Sequence, residues 1–218
     1  YWDNNVIGSI NLFKIMDEFS CRNIVFSSSA CIYGVANQTF INEECEIKPT
    51  NPYGQTKATI EKILNDLYVN SLSDWKIICL RYFNPVGAHH SGEIGEDPVG
   101  IPNNLFPYIS QVAIERRKEL DVFGSDWKTI DGTGVRDYIH IMDLAEAHLA
   151  ALEYLIDEKK NFLVLNIGTG IGTSVLEMIK LFEKINNCKI PYKLKMRRNG
   201  DLGSVIADNK KALAILNW

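Results

Sequence analysis

The chain has 218 residues, 46% hydrophobic and 23% charged, which suits a folded protein with a sizeable core. A net charge of −4 gives no basic footprint for nucleic acid, and no apolar run approaches the ~18 residues of a membrane span. Five cysteines without Cys-x-x-Cys spacing and four histidines without ligand spacing indicate neither a disulfide framework nor a metal site, so reduced thiols in a cytoplasmic protein are expected.

In chain order, Val6, Ile10 and Phe13 predict an amphipathic helix over residues 4–19, with Asp3 as its cap. Residues 23–28 read as a short buried strand running into Ser29, and residues 35–50 as a polar loop. Asn51 and Pro52 suit the cap and first position of a helix whose stripe is Ile60, Ile63, Leu64 and Leu67, ending near residue 72. Residues 76–83 form a second buried strand, and 87–102 a long loop rich in Gly, Pro and His. Leu105, Ile109 and Val112 mark a helix expected to end in Arg116, Arg117 and Lys118, where positive charge favours a carboxyl terminus.

A brief strand at 120–123 and a polar loop at 126–134 follow. Residues 135–140 precede a helix expected to present Ile141, Leu144, His148, Leu152 and Leu155 on one face, with His148 a satisfied core histidine rather than a ligand. Residues 162–167 read as a strand, Ser174 and Glu177 as a capping box, and Val175, Ile179 and Phe182 as its helix. One more helix starts within 207–218. This alternation predicts an α/β chain with a parallel sheet, whose ligands gather beyond the carboxyl ends of the strands.

Ser29 and Asn84 fall just past two strand ends, and Tyr53 opens the intervening helix. Tyr53 and Lys57 are four apart and share a helix face. A fixed lysine charge is expected to lower the phenol's pKa and make Tyr53 a proton acceptor. Residues 168–172 read Gly-x-Gly-x-Gly, one residue short of the dinucleotide fingerprint and late in the chain, so they are read as a tight turn.

Residues 1–6, 27–34, 52–57, 80–88, 92–104, 131–144 and 197–202 together resemble the UDP-glucose 4-epimerase family of the extended short-chain dehydrogenase/reductase superfamily. Tyr-x-x-x-Lys indicates only the superfamily; the segments 81–88 and 132–140 are specific to the epimerases. The resemblance implies a partial NAD-binding Rossmann-type sheet flanked by helices (residues 1–86, with 135–168 returning to it) and a smaller UDP-sugar-binding region (87–134 and 169–218). The family's amino-terminal Gly-rich loop is absent, and the family continues past residue 218. The chain is therefore expected to be a carboxyl-side portion, inactive alone, of an enzyme that is a homodimer at full length.

The implied reaction interconverts UDP-galactose and UDP-glucose: NAD takes a hydride from C4 of the hexose while Tyr53 takes the 4-hydroxyl proton, and the keto-sugar turns over before hydride returns. The resemblance gives Lys57 the nicotinamide ribose and Ser29 the 4-oxygen, with Asn4, Tyr82 and Phe83 also at the cofactor. Arg136 and Arg198 would clamp the diphosphate, and Asn84, Asn104 and Leu105 would contact sugar and phosphate. Phe123 would lie at the uridine and Asp201 at its ribose. Val205 would face the C2 substituent, leaving room for an N-acetyl group. A dehydratase is a rival reading, but those enzymes carry Thr-Asp-Glu where this chain has Ser29-Ala30-Cys31, and Ala30 cannot transfer a proton. The other rival is a non-catalytic homologue, against which the complete Ser29, Tyr53 and Lys57 set argues.

Overall fold

The computed structural model describes residues 1–34, 38–70, 72–157, 161–198 and 200–218. A π-helical turn, Trp2–Ile7, leads into α1 (Gly8–Glu18), and β1 (Asn23–Ser29) runs into a 3-10 turn, Ala30–Tyr33. Next come β2 (Phe40–Ile41), α2 (Pro52–Asn70), β3 (Lys76–Tyr82), β4 (Asn84–Val86) and α3 (Leu105–Ala113). They are followed by β5 (Leu120–Phe123), β6 (Val135–His140), α4 (Ile141–Asp157), β7 (Asn161–Ile167) and β8 (Gly172–Ser174). The last elements are α5 (Val175–Asn186), β9 (Tyr192–Lys195), β10 (Ser204–Ala207) and α6 (Lys210–Leu216).

Strands β1, β3 and β7 form a parallel sheet in that order. The side chains of β3 alternate between two cores. Ile78 and Leu80 pack with Leu144, Ala147, Ala151 and Leu155 of α4 and with Ala212 and Leu216 of α6. Ile77 and Cys79 pack with Phe13 of α1, Ile60 and Leu64 of α2, and Trp75. A strand covered on both faces is apolar over its central run, here residues 77–80, which makes it legible in a sequence. This is the expected Rossmann-type α/β arrangement.

Only Phe83 separates β3 from β4, so the chain passes from the carboxyl end of the first sheet into a second. That sheet runs β2-β10-β6-β4, all parallel, with β8 antiparallel on β6. Strands β5 and β9 pair separately, over a core of Ile109, Val112, Val122, Met178 and Ile179 shared with α3 and α5. The two regions do not follow the expected sequence boundaries: β2 belongs to the second sheet, and α6 packs into the core of the first.

Four local expectations change. Asp3 lies inside the π turn and does not cap it; the turn closes through the Asn5 N–H donating to the Tyr1 carbonyl at 2.8 Å. The basic cluster is not in a helix end, because α3 stops at Ala113 and Glu115 takes a left-handed φ of 60°. Arg116 instead reaches Asp97 at 3.0 Å, and Arg117 reaches the Gly100 carbonyl at 3.1 Å, so the cluster anchors the preceding loop. The buried face of α4 is Leu144, Ala147, Ala151 and Leu155, while Ile141 and Leu152 are exposed. Residues 135–140 and 204–207 are strands, as are the short β2, β4, β8 and β9. Of the predicted loop at 35–50, residues 35–37 lie outside the described residues, and the rest is irregular apart from β2.

Candidate functional site

The helix that carries Tyr53 begins as its sequence requires. The Asn51 side-chain oxygen accepts from the Gly54 N–H at 2.8 Å, the Asn51 carbonyl accepts from the Gln55 N–H at 3.0 Å, and Pro52 fills the first position, where its missing N–H costs nothing. Gly54 permits the approach that matters most. A Cβ there would stand 2.7 Å from the Cys31 carbonyl oxygen, so only glycine lets the start of α2 press on the turn after Ser29. Ser29 caps that turn, accepting from the Cys31 N–H at 3.2 Å.

Beyond the carboxyl ends of β1 and β3, the hydroxyls of Ser29 and Tyr82 lie close enough to the Tyr53 phenol to influence its titration. Burial, with smaller contributions from Tyr82 and Cys31, pushes the Tyr53 pKa up to about 12, against the opposing influence of Ser29. This reverses the expected direction. Lys57 donates to the Ser27 carbonyl at 2.9 Å and lies 5.6 Å from the Tyr53 ring centre, and burial lowers its own pKa. At neutral pH the phenol of the chain by itself keeps its proton. His148 is satisfied at both ring nitrogens, by the Leu144 carbonyl and the Ser27 hydroxyl, each at 2.8 Å.

A cavity of about 520 Å³ opens on the second region. Asn84, Asn104, Leu105, Phe123, Arg136, Arg198 and Asp201, all expected at the substrate, line it together. Residues 103–106 bring the amino terminus of α3 to the wall, where unpaired N–H groups favour an anion. Arg136 donates to its neighbour's carbonyl, Val135, at 2.9 Å; burial lowers its pKa, with Asp201 pulling the other way. Arg198 lies over the Phe123 ring at 5.1 Å and pairs with Asp201 at 2.9 Å. Two arginines and a helix amino end in one cavity suit a diphosphate, which takes bidentate charge-assisted bonds.

Trp127 and Tyr138 are among the lining residues to which the sequence reading assigned no role. The Trp127 ring stacks on the Arg197 guanidinium at 3.7 Å, and its place was signalled only by Gly124 and Gly203, where a Cβ would collide with or crowd the indole. Of the other expected residues, Asn4 and Phe83, assigned to the cofactor, and Val205, assigned to the sugar, are not among the lining residues of this cavity. Asn4 is exposed in the π turn, although its neighbour Asn5 reaches Thr56 of α2 at 2.9 Å. Phe83 is buried with Ile32, Tyr33, Ile41 and Ala207. Val205 packs on that cluster, opposite Arg136 in the register, and does not line the cavity.

Lys57 uses one of its three donor positions on Ser27, beside the hydroxyls of Ser29, Tyr53 and Tyr82. This donor set fits the ribose and carboxamide of a nicotinamide nucleotide. The 168–172 turn does not fit its pyrophosphate, because the Thr169 and Gly170 N–H groups donate to the Asp137 carboxylate at 2.8 and 2.9 Å.

Residues 1–168 match the NAD dependent epimerase/dehydratase family. Over its whole length the chain is 56% identical to UDP-glucose 4-epimerase 2 of Arabidopsis thaliana, of which it covers 62%. It is 50% identical to the UDP-glucose 4-epimerase of Bacillus subtilis, covering 64% of it. Among solved structures, the UDP-glucose 4-epimerase of Stenotrophomonas maltophila with bound NAD and formylated UDP-arabinopyranose superposes on the whole chain with a TM-score of 0.97 and 46% identity, with 64% of that protein covered. The Bifidobacterium longum enzyme in complex with NAD+ and UDP gives 0.93 and 48%, again with 64% covered. The chain thus spans under two thirds of these relatives.

Proposed function

The chain belongs to the NAD dependent epimerase/dehydratase family, and from that premise we propose that the protein carrying it interconverts UDP-galactose and UDP-glucose by inversion at C4. The observation that carries this reading is a proton-handling cluster of Ser29, Tyr53, Tyr82 and Lys57 beside a cavity walled by Arg136, Arg198 and the amino end of α3. The arginines hold the UDP diphosphate and Phe123 the base end, so the hexose extends towards Tyr53. Tyr53 takes the proton of the 4-hydroxyl as C4 becomes a ketone and returns it after the sugar turns over, and Ser29 holds the oxygen throughout. NAD, when bound, supplies the reversible hydride acceptor and, in its oxidised form, a positive ring that favours the phenolate. Lys57 and Tyr82 belong to its nicotinamide end, with Asn4 and Phe83 nearby.

Dehydration of the same substrates needs an acid where this chain has Ala30 and Cys31. The small Val205 side chain is compatible with N-acetylated UDP-hexoses as additional substrates. Pairing of two chains is supported by exposed Leu12 and Ile15 on α1 and Phe19 just past it, and by exposed Val69 and Leu72 at and beyond the end of α2. A cytoplasmic location is supported by five free cysteines. Incubation of the full-length protein with NAD and UDP-galactose, followed by chromatography of the nucleotide sugars, should yield UDP-glucose. No conversion, or release of a dehydrated sugar, overturns the reading.

A further inference from the structure

We propose that the buried Arg81–Glu61 pair is a positioning clamp that holds Tyr53 and Lys57 of α2 in register with Ser29, and so sets turnover without touching substrate. The inference rests on the epimerase reading above. Glu61 lies four residues after Lys57 and eight after Tyr53, so all three share the face of α2 turned to the sheet. Its carboxylate accepts from Arg81 through Nε at 3.0 Å and Nη2 at 2.6 Å, and from the Ser28 hydroxyl. Arg81 also donates to the Tyr33 hydroxyl at 3.0 Å and to the Glu43 carbonyl at 3.3 Å. Tyr33 in turn donates to Asn166 of β7 at 2.7 Å.

Each partner is one step from a site residue. Ser28 precedes Ser29 on β1, Arg81 precedes Tyr82 on β3, and Tyr33 closes the turn that Ser29 caps. One carboxylate on α2, the helix of Tyr53, therefore ties that helix to β1 and β3, the two strands that supply Ser29 and Tyr82. The Arg81 and Glu61 side chains are 4% and 6% exposed, and neither lines the cavity. Burial alone would lower the Arg81 pKa, but its bonds and attraction to Glu61, with help from Tyr33, hold it above the ordinary value. Apolar packing already covers this face of the sheet through Ile60, Leu64, Ile77 and Cys79. A hydrophobic pair would fill the same space, whereas the planar fork of Arg81 accepts its partner in one orientation.

The test separates positioning from stability in the full-length protein. Replacing both partners together, Glu61→Leu with Arg81→Met, removes the charges without leaving either unpaired. This double variant should melt near the wild-type temperature, while kcat falls by at least ~10-fold, as misplaced reacting groups require, and KM for UDP-galactose stays within about twofold. Recovery of kcat along with stability overturns the clamp. If the double variant does not fold, Ser28→Ala and Glu61→Gln decide, since unchanged kcat in both overturns it equally. Hydrogen exchange gives a readout independent of activity. At matched stability, the amides of residues 29–33 and 53–57 should exchange at least ~10-fold faster in the variant, and unchanged exchange refutes the clamp. A wild-type protein with no epimerase activity refutes the functional reading instead.

Discussion

A carboxylate is buried in each of the two regions, on the helix packed over the first sheet and on a strand of the second, and the two are satisfied differently. In the first, Glu61 meets a cation, Arg81, presented by the neighbouring strand. In the second, Asp137 is fully buried and meets none among the described residues; its oxygens accept from the N–H groups of Thr169, Gly170 and Ala207 and from the Thr169 hydroxyl. The first arrangement joins a 19-residue helix to a seven-residue strand, elements already fixed by apolar packing. The second joins β6, a turn and β10, segments too short to pack themselves. In the first region the charge adjusts a frame that hydrophobic burial has built. In the second the carboxylate is part of the frame, because it pins the strand of Arg136 to the strand of Val205.

The largest expected effect follows from that contrast. The partners of Glu61 are side chains and can be exchanged for apolar ones, whereas those of Asp137 are mostly backbone amides that no substitution removes. Asp137→Ala should therefore cost at least ~3 kcal/mol, since several buried donors lose their acceptor. No second substitution should restore that loss, whereas the Glu61→Leu, Arg81→Met double variant should recover most of the ~3–5 kcal/mol lost when Arg81 alone is removed. Thermal or urea unfolding of the full-length protein measures both. An Asp137→Ala protein as stable as wild type would remove the distinction.

The same contrast explains what could be read from the sequence. The first region was legible because β3 carries the apolar run 77–80 and because α2 announces itself through Asn51, Pro52 and the Ile60–Leu64 stripe. The second was not. In β6 the inward positions are Asp137 and Ile139, so the alternation that marks a strand is broken by the residue that organises it. Strands β2, β4, β8 and β10 have two to four residues and pair with segments far away in sequence, leaving almost no periodicity to detect. The cavity residues were found through motif resemblance rather than pattern. Trp127 lay outside every segment it drew on, and Tyr138 lay inside one without an assigned role. The direction of the Tyr53 shift depended on burial depth and on Lys57 turning to a carbonyl, neither of which spacing specifies.

Chemistry and binding should divide along the same line. Tyr53→Phe, in the first region, should lower turnover by at least ~100-fold, the scale of a lost positioned acid–base group, and leave UDP affinity within about twofold. Arg198→Ala, in the second, should weaken UDP binding by roughly 10-fold, as expected for one charge-assisted contact that is half exposed and already shared with Asp201, and change kcat little. Calorimetric titration with UDP and steady-state kinetics read the two separately. If Tyr53→Phe weakens UDP binding as much as Arg198→Ala does, the regions are not functionally separate.

The smallest effect on UDP-galactose is expected at Val205, where the regions meet. It is the register partner of Arg136 across the strand pair and packs on the cluster that contains Phe83. It does not itself line the cavity, so its influence on the sugar must act through the space it leaves beside Arg136. A tyrosine ring is too large for the half-buried site of a valine, and on the proposed reading its added bulk intrudes on the space left for the sugar's C2 substituent. The added bulk should cost a few-fold in kcat/KM for UDP-galactose but about 10-fold or more for UDP-N-acetylgalactosamine, whose C2 substituent needs that space. Steady-state rates of wild type and Val205→Tyr on both substrates decide it. Equal slowing would place Val205 in the packing of the Phe83 cluster alone and leave selectivity at C2 to other residues.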